Sequence, residues 1–227
     1  MLATATHASC LIYPLAVRKP SLLDAAQMTQ RSPPPLDDWN LLTLDAVEEV
    51  FTDAPFRWWV SGGLALELHV GRSWRSHEDL DIGVLGTEAD KVYSWLANWD
   101  LWVAAGGTLR PWRGEALEPR QGENNVWASH YSSSSWRFDL AVSDGNDTEW
   151  VYRRDRKVRR EWDAAVLRTG DGVPYLAPEI QLLFKSRKPR PKDDTDARQV
   201  IPMLDPSQRT FLLDQLDDGH QWMLISS

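Results

Sequence analysis

The stretch from Trp58 to Val84, WWVSGGLALELHVGRSWRSHEDLDIGV, constrains this chain more than any other, because it sets two aspartates inside a segment that otherwise reads as a strand. In EDLDIGVLG the apolar Leu80, Ile82 and Val84 alternate with Asp79 and Asp81, so a strand here turns its apolar side one way and both carboxylates the other. Carboxylates held side by side repel each other, and a hard divalent cation neutralises them. Mg²⁺ suits the arrangement, since it takes one or two protein carboxylates and completes its octahedron with waters and phosphate oxygens. SWRFDLAVSD repeats the pattern, with Phe138, Leu140 and Val142 on one side and Asp139 on the other. If the two strands are neighbours, three carboxylates meet at one point, enough for two metal ions or for one metal and a general base.

The glycines supply the second half of the pattern. Gly62 and Gly63 stand between an aromatic, β-branched strand (FRWWV) and an apolar helical segment (LALELHV) that stops near Gly71. A glycine turn at a helix N-terminus lets backbone N–H groups approach a phosphate, and the helix dipole favours the anion; Ser61 could add a hydroxyl donor. Taken alone, a Gly-Gly pair is more often only a turn, and an Asp-x-Asp only a solvated edge. The order of glycine turn, helix, two-aspartate strand and one-aspartate strand favours the functional reading of both. Arg75 could pair with phosphate and His77 could orient an aspartate or contact the nucleotide, against the plain alternative of a surface turn. Lys185, within a basic run with Arg187, Lys188, Arg190 and Lys192, is the first candidate for a triphosphate contact. Asp193 and Asp194 follow Pro191 and suit a helix N-terminus, and a salt bridge from Lys192 or Asp196 into the site is a second option.

Periodicity organises the rest. DDWNLLTLDAVEEVF places apolar residues at helical spacing from Trp39 to Phe51, and EADKVYSWLANW is a second amphipathic helix. Leu101 to Trp127 reads as hairpins and loops, TEWVYRRDRKVRREW onward as a further hairpin, and the end from Pro178 as helices. The fold class expected is therefore α+β, a mixed β-sheet flanked by helices with a C-terminal helical segment. Its divisions are residues 1–36 as a loosely ordered leader, 37–176 as the main domain and 177–227 as the helical segment. Met28 is an alternative start. The net charge of −8 argues against general nucleic-acid binding through phosphate neutralisation, although the Arg153–Arg160 cluster could meet an anionic acceptor such as transfer RNA. With Cys10 as the single cysteine neither a disulfide framework nor a cysteine zinc site can form within one chain. No run of about 18 apolar residues offers a membrane span, and a cytoplasmic setting is expected. The thirteen tryptophans are read as bulky core.

Gly62, Gly63, Gly71, Arg72, Arg75, His77, Asp79 and Asp81 together resemble the signature of the DNA polymerase beta-type nucleotidyltransferase superfamily. The Ser-Gly-Gly form is similar to the aminoglycoside and lincosamide nucleotidyltransferases. That resemblance implies a nucleotidyltransferase-type fold, with Asp79 and Asp81 binding catalytic Mg²⁺ and Ser61, Gly62 and Gly63 holding the triphosphate. Asp139 would be the third carboxylate, which helps bind metal or activates the acceptor hydroxyl. The tail with Lys192, Asp193 and Asp196 resembles the helical end of bacterial relatives. The activity expected is transfer of a nucleoside monophosphate, with ATP as the expected donor, to a hydroxyl of a small molecule such as an aminoglycoside- or lincosamide-like antibiotic, releasing pyrophosphate. A toxin-like or regulatory transferase acting on RNA or protein, and a non-catalytic nucleotide-binding module, are the alternatives.

Overall fold

The structure, a computed structural model, describes residues 32–225. The first 31 residues of the expected leader, with Cys10 and Met28, lie outside the described residues. The first helix, α1 (Leu44–Phe51), starts where the Thr43 hydroxyl accepts a hydrogen bond from the Ala46 amide at 3.3 Å, five residues later than apolar spacing suggests. Trp39 instead makes an isolated parallel bridge to Trp136, and its indole donates to the Leu36 carbonyl at 3.0 Å. An aromatic cluster with Trp127 and Trp136 has taken it out of the helical register.

Strand β1 (Trp58–Val60) runs through Ser61 straight into α2 (Gly62–Val70), which Gly71 closes in the left-handed conformation at φ +76°. There follow β2 (Asp81–Leu85), α3 (Ala89–Trp95), β3 (Trp99–Ala105), β4 (Thr108–Pro111), β5 (Asn125–His130) and β6 (Phe138–Gly145). The hairpin expected after β6 is in fact two: β7 (Glu149–Val151) pairs with β8 (Arg159–Glu161), and β9 (Val166–Arg168) with β10 (Pro174–Leu176), with the short α4 (Trp162–Ala165) between. The chain ends with α5 (Pro178–Ser186), α6 (Pro191–Val200) and α7 (Pro206–Asp214).

The strands form one mixed sheet in the order β4, β3, β5, β6, β2, β1, β10, β9, with β7 and β8 joined to the far end of β6. Most pairs are antiparallel. Two are parallel, β2 with β6 and β1 with β10, and the first sets the site: Asp81 lies opposite Asp139, and Ile82 opposite Leu140. The strand begins at Asp81, so it carries only one of the two aspartates expected on it, and Asp79 stands just before it in an exposed loop. Nor does burial alternate along β2, where every residue from Ile82 to Leu85 is buried. A central strand is covered on both faces, and Gly83 is required because the Trp59 indole lies where its Cβ would be.

Phe51 of α1 meets Phe138 of β6 at 5.8 Å between ring centroids, on the apolar side of the sheet. Helix α5 buries Ile180, Leu182 and Leu183 completely, and α5 and α6 both pack on α2. The helical end of the chain thus stands against the glycine turn. Trp59, Trp136, Trp150 and Trp222 are the largest fully buried side chains, in keeping with a core role for the tryptophans. Among the described residues no helix is long and apolar enough to cross a membrane.

Candidate active site

Gly62 lies directly against the Asp81 carboxylate. Its φ of +67° favours glycine, and any Cβ would collide with the Asp81 carboxylate. The backbone locks the approach: the Ser61 amide donates to the Asp81 carbonyl at 2.8 Å, and the Gly62 amide donates to the Gln181 side-chain carbonyl of α5 at 2.9 Å. Ser61 occupies the N-cap position without capping through its hydroxyl, and helix geometry leaves the Gly63 and Leu64 amides without intrahelical acceptors. Gly63 answers a separate demand, since the Arg75 guanidinium and the His77 ring lie against it where a Cβ would go.

Register places Asp81 and Asp139 side by side on the parallel strands, and the Asp139 amide donates to the Leu80 carbonyl at 2.8 Å. Burial, and after it the neighbouring Asp79 charge, push the Asp81 carboxyl up to about 7 from an ordinary 3.8. Burial and then the Asp81 charge likewise hold Asp139 well above the usual range, opposed by a hydrogen bond from the Asn125 side-chain amide. The other Asp139 oxygen, Oδ1, is buried without a hydrogen-bond partner. Among the described residues no three carboxylate, imidazole or thiol side chains are drawn into a ready-made metal cluster. Asp81 and Asp139 nevertheless fit a hard divalent cation: both are oxygen donors, they repel each other, and one presents an unsatisfied buried oxygen. Asp79 stands exposed at the rim, near enough for its charge to act on both.

Arg75, His77 and Lys185 belong to one ion-pair network. Arg75 grips Asp196 of α6 with Nε at 2.9 Å and Nη2 at 3.0 Å, and the Trp74 indole donates to the same carboxylate at 3.0 Å. Lys185 lies 2.8 Å from Asp193 and 3.1 Å from Asp196. Buried Glu67 on α2 organises the loop from below, accepting from the Trp74 and Arg75 amides at 3.0 and 3.2 Å and from the Ser73 hydroxyl at 2.7 Å, with His77 Nε2 3.0 Å away. Burial opposes ionisation of Asp193, yet Arg190 and Lys185 hold its carboxyl far below the usual range. Asp193 also accepts from the Arg190 amide at 3.0 Å at the start of α6, the helix-end position its sequence suggests.

Arg75, Lys185 and Asp193 help line a cleft of about 530 Å³ in which Gly62, Gly63, Asp79 and Asp81 face Lys185, Lys188, Arg190 and Lys192. A smaller cavity of about 210 Å³ shares Gly62, Asp81, Arg154, Gln181 and Phe184 with it. Another of about 540 Å³, beside Phe51, Trp58 and Trp162, contains none of the predicted site residues. Sequence reasoning missed Gln181, Asn125 and Glu67. The first and last do leave a trace, as polar residues inside the apolar runs PEIQLLF and LALELHV. Asn125 leaves none.

A glycine turn into a helix over a parallel pair of aspartate strands, in this mixed sheet, is the arrangement of a nucleotidyltransferase, and the chain is an enzyme of that class. Residues 43–200 match the family described as aminoglycoside-2''-adenylyltransferase, and the chain belongs to that family. Similar solved structures include the lincosamide antibiotic adenylyltransferase LnuA with lincomycin bound, at 17% identity and a TM-score of 0.47, covering 71% of this chain and 98% of that one. ANT(2'')-Ia in complex with adenylyl-2''-tobramycin shares 10% identity at a TM-score of 0.47, covering 76% and 94% of the two chains. A nucleotidyltransferase-like protein from Paracoccidioides brasiliensis shares 17% at a TM-score of 0.41, covering 75% and 84%. No curated protein matches the sequence.

Proposed function

We propose that this protein transfers a nucleoside monophosphate, AMP from ATP, to a hydroxyl of a small molecule and releases pyrophosphate in a Mg²⁺-dependent reaction. The observation that carries the reading is the register of Asp81 against Asp139 directly beneath the Gly62 turn. The open amides of α2 and the Ser61 hydroxyl suit phosphate oxygens, and the lysines and arginines of the larger cleft balance the triphosphate charge. Asp81 and Asp139, with Asp79 at the rim, are the residues to hold Mg²⁺, which when bound neutralises phosphate charge and polarises the α-phosphorus. We assign to Asp139, which accepts a hydrogen bond from Asn125, the removal of the acceptor hydroxyl's proton. Positioning and charge neutralisation then do the catalytic work. The family name makes an aminoglycoside the first acceptor to assay, and the lincomycin complex of LnuA adds lincosamides.

Purified protein with labelled ATP, Mg²⁺ and these acceptors should yield a nucleotidylated product and stoichiometric pyrophosphate. Asp81→Ala should reduce turnover by about 10³-fold or more while the protein stays folded, the scale seen when electrostatic stabilisation of a transition state is removed. Wild-type turnover in Asp81→Ala would sink the assignment.

A further inference from the structure

Asn125 is one link of a longer chain of hydrogen bonds, and every link points the same way. Arg153, in the turn between β7 and β8, donates to the Asn124 side-chain oxygen at 3.2 Å. The Asn124 side-chain amide donates to the Asn125 side-chain oxygen, and the Asn125 amide donates to Oδ2 of Asp139. The two ends fix this direction. A guanidinium can only donate and an ionised carboxylate can only accept, so turning either asparagine over would set N–H against N–H on one side and oxygen against oxygen on the other. Bonds aligned head to tail polarise one another, and here the alignment starts at a positive charge and ends on a carboxylate.

Arg153, Asn124 and Asn125 all line the smaller cavity beside Asp81, and none of the three lines the cation-rich cleft. Arg153 gives its N–H groups to neutral acceptors, Asn124 and, at 3.5 Å, the Pro119 carbonyl. Burial, and after it the adjacent Arg154 charge, lower its pKa, so the guanidinium is held in the cavity wall against its own preference for water. At the other end the two oxygens of buried Asp139 differ. Oδ2 accepts from Asn125, while Oδ1 is buried without a hydrogen-bond partner. The Trp127 side chain, opposite Asp139 on β5, favours the carboxylate charge more weakly than Asn125 does. A carboxylate with one oxygen engaged and the other unsatisfied is held in one orientation.

We infer that Arg153, Asn124 and Asn125 form a positioning relay, which fixes Asp139 through Oδ2 and reserves Oδ1 as the oxygen through which Asp139 works. This rests on the nucleotidyltransferase reading above, in which Asp139 is the third carboxylate. Asn125 touches Asp139 directly, and Asn124 and Arg153 act only through it.

The test measures Mn²⁺ binding to the nucleotide-free protein by electron paramagnetic resonance, and alongside it kcat and the KM for ATP from pyrophosphate release with tobramycin. Asn125→Ala should weaken Mn²⁺ binding and lower kcat by about tenfold or more each, the scale for groups that hold a metal-binding carboxylate, with the KM for ATP unchanged. Asn124→Ala and Arg153→Met should each give a smaller loss of the same kind. Neither should add to the loss when combined with Asn125→Ala, since both act through that residue. Arg153→Lys keeps a donor and should recover most of what Arg153→Met loses. Arg153 sits in a turn, so its two variants carry the test if Asn125→Ala does not fold, and the Mn²⁺ affinities decide alone if tobramycin is not turned over. Wild-type Mn²⁺ affinity in Asn125→Ala or in Arg153→Met, or losses that add, overturns the inference and leaves the nucleotidyltransferase reading standing. So does a raised KM for ATP at unchanged Mn²⁺ affinity, which would assign these residues to the triphosphate. If the wild-type protein binds no Mn²⁺, the parent reading fails, and the inference with it.

Discussion

Gly62 meets two requirements that no other residue can meet together, a positive φ and a missing side chain where Asp81 passes. Gly62→Ala should cost roughly 1–3 kcal/mol of backbone strain, read as a lower Tm, and should remove activity far beyond that loss because Asp81 must move aside. Wild-type turnover in that variant would show the close approach to be dispensable. Asp81 makes a pH prediction of definite sign. A carboxyl whose native pKa is raised favours the folded state while protonated, and that stability is lost as pH climbs from the unfolded value of 3.8 through about 7. Without metal the protein should therefore lose stability across this window, measurable as a falling Tm. Asp81→Asn should flatten the fall and raise the metal-free Tm at pH 8, by about 2–4 °C for each kcal/mol recovered. Mg²⁺ should reverse the trend in the wild type alone, with protons released on binding.

The loop between α2 and β2 is tied to α6 through one buried carboxylate, Asp196, which Arg75, Lys185 and Trp74 share. Removing one partner of such a group strands the others. Asp196→Ala should destabilise by about 3–5 kcal/mol, checked by denaturant unfolding. Lys185 separates two roles: held by Asp193 and Asp196, it can reach a phosphate only by exchanging partners. Lys185→Met should lower the nucleotide-free Tm and raise the KM for ATP together, whereas a lower Tm with unchanged KM would leave it a structural residue. The glycine turn, both aspartate strands and the helical end were legible because each is a local pattern of period and punctuation. Three things were not, for a shared reason. The late start of α1 is decided by Trp39 meeting Trp136, the Arg75 partner lies on α6, and the Gln181 contact with Gly62 spans α5 and α2. Each depends on residues distant in sequence, which spacing does not encode.

At the scale of the molecule, α5 and α6 complete the sheet region as well as the site. Ile180, Leu182 and Leu183 are fully buried, and Gln181 holds the Gly62 amide. Truncation after Leu176 should expose that apolar surface and give an aggregating, inactive chain, seen by size-exclusion chromatography; a stable monomer would contradict it. ATP with Mg²⁺ at ~100 times its dissociation constant should add about 2.7 kcal/mol to the intact protein, readable by thermal shift. The parallel pairing of β2 with β6 has a consequence in time. The chain leaves β2, builds β3, β4 and β5, and returns before Asp139 can stand beside Asp81. Contacts that close long excursions form late, because loop entropy must be overcome first. On a ribosome the growing chain holds half a metal site until β6 emerges, so competence to bind MgATP should be among the last properties recovered on refolding.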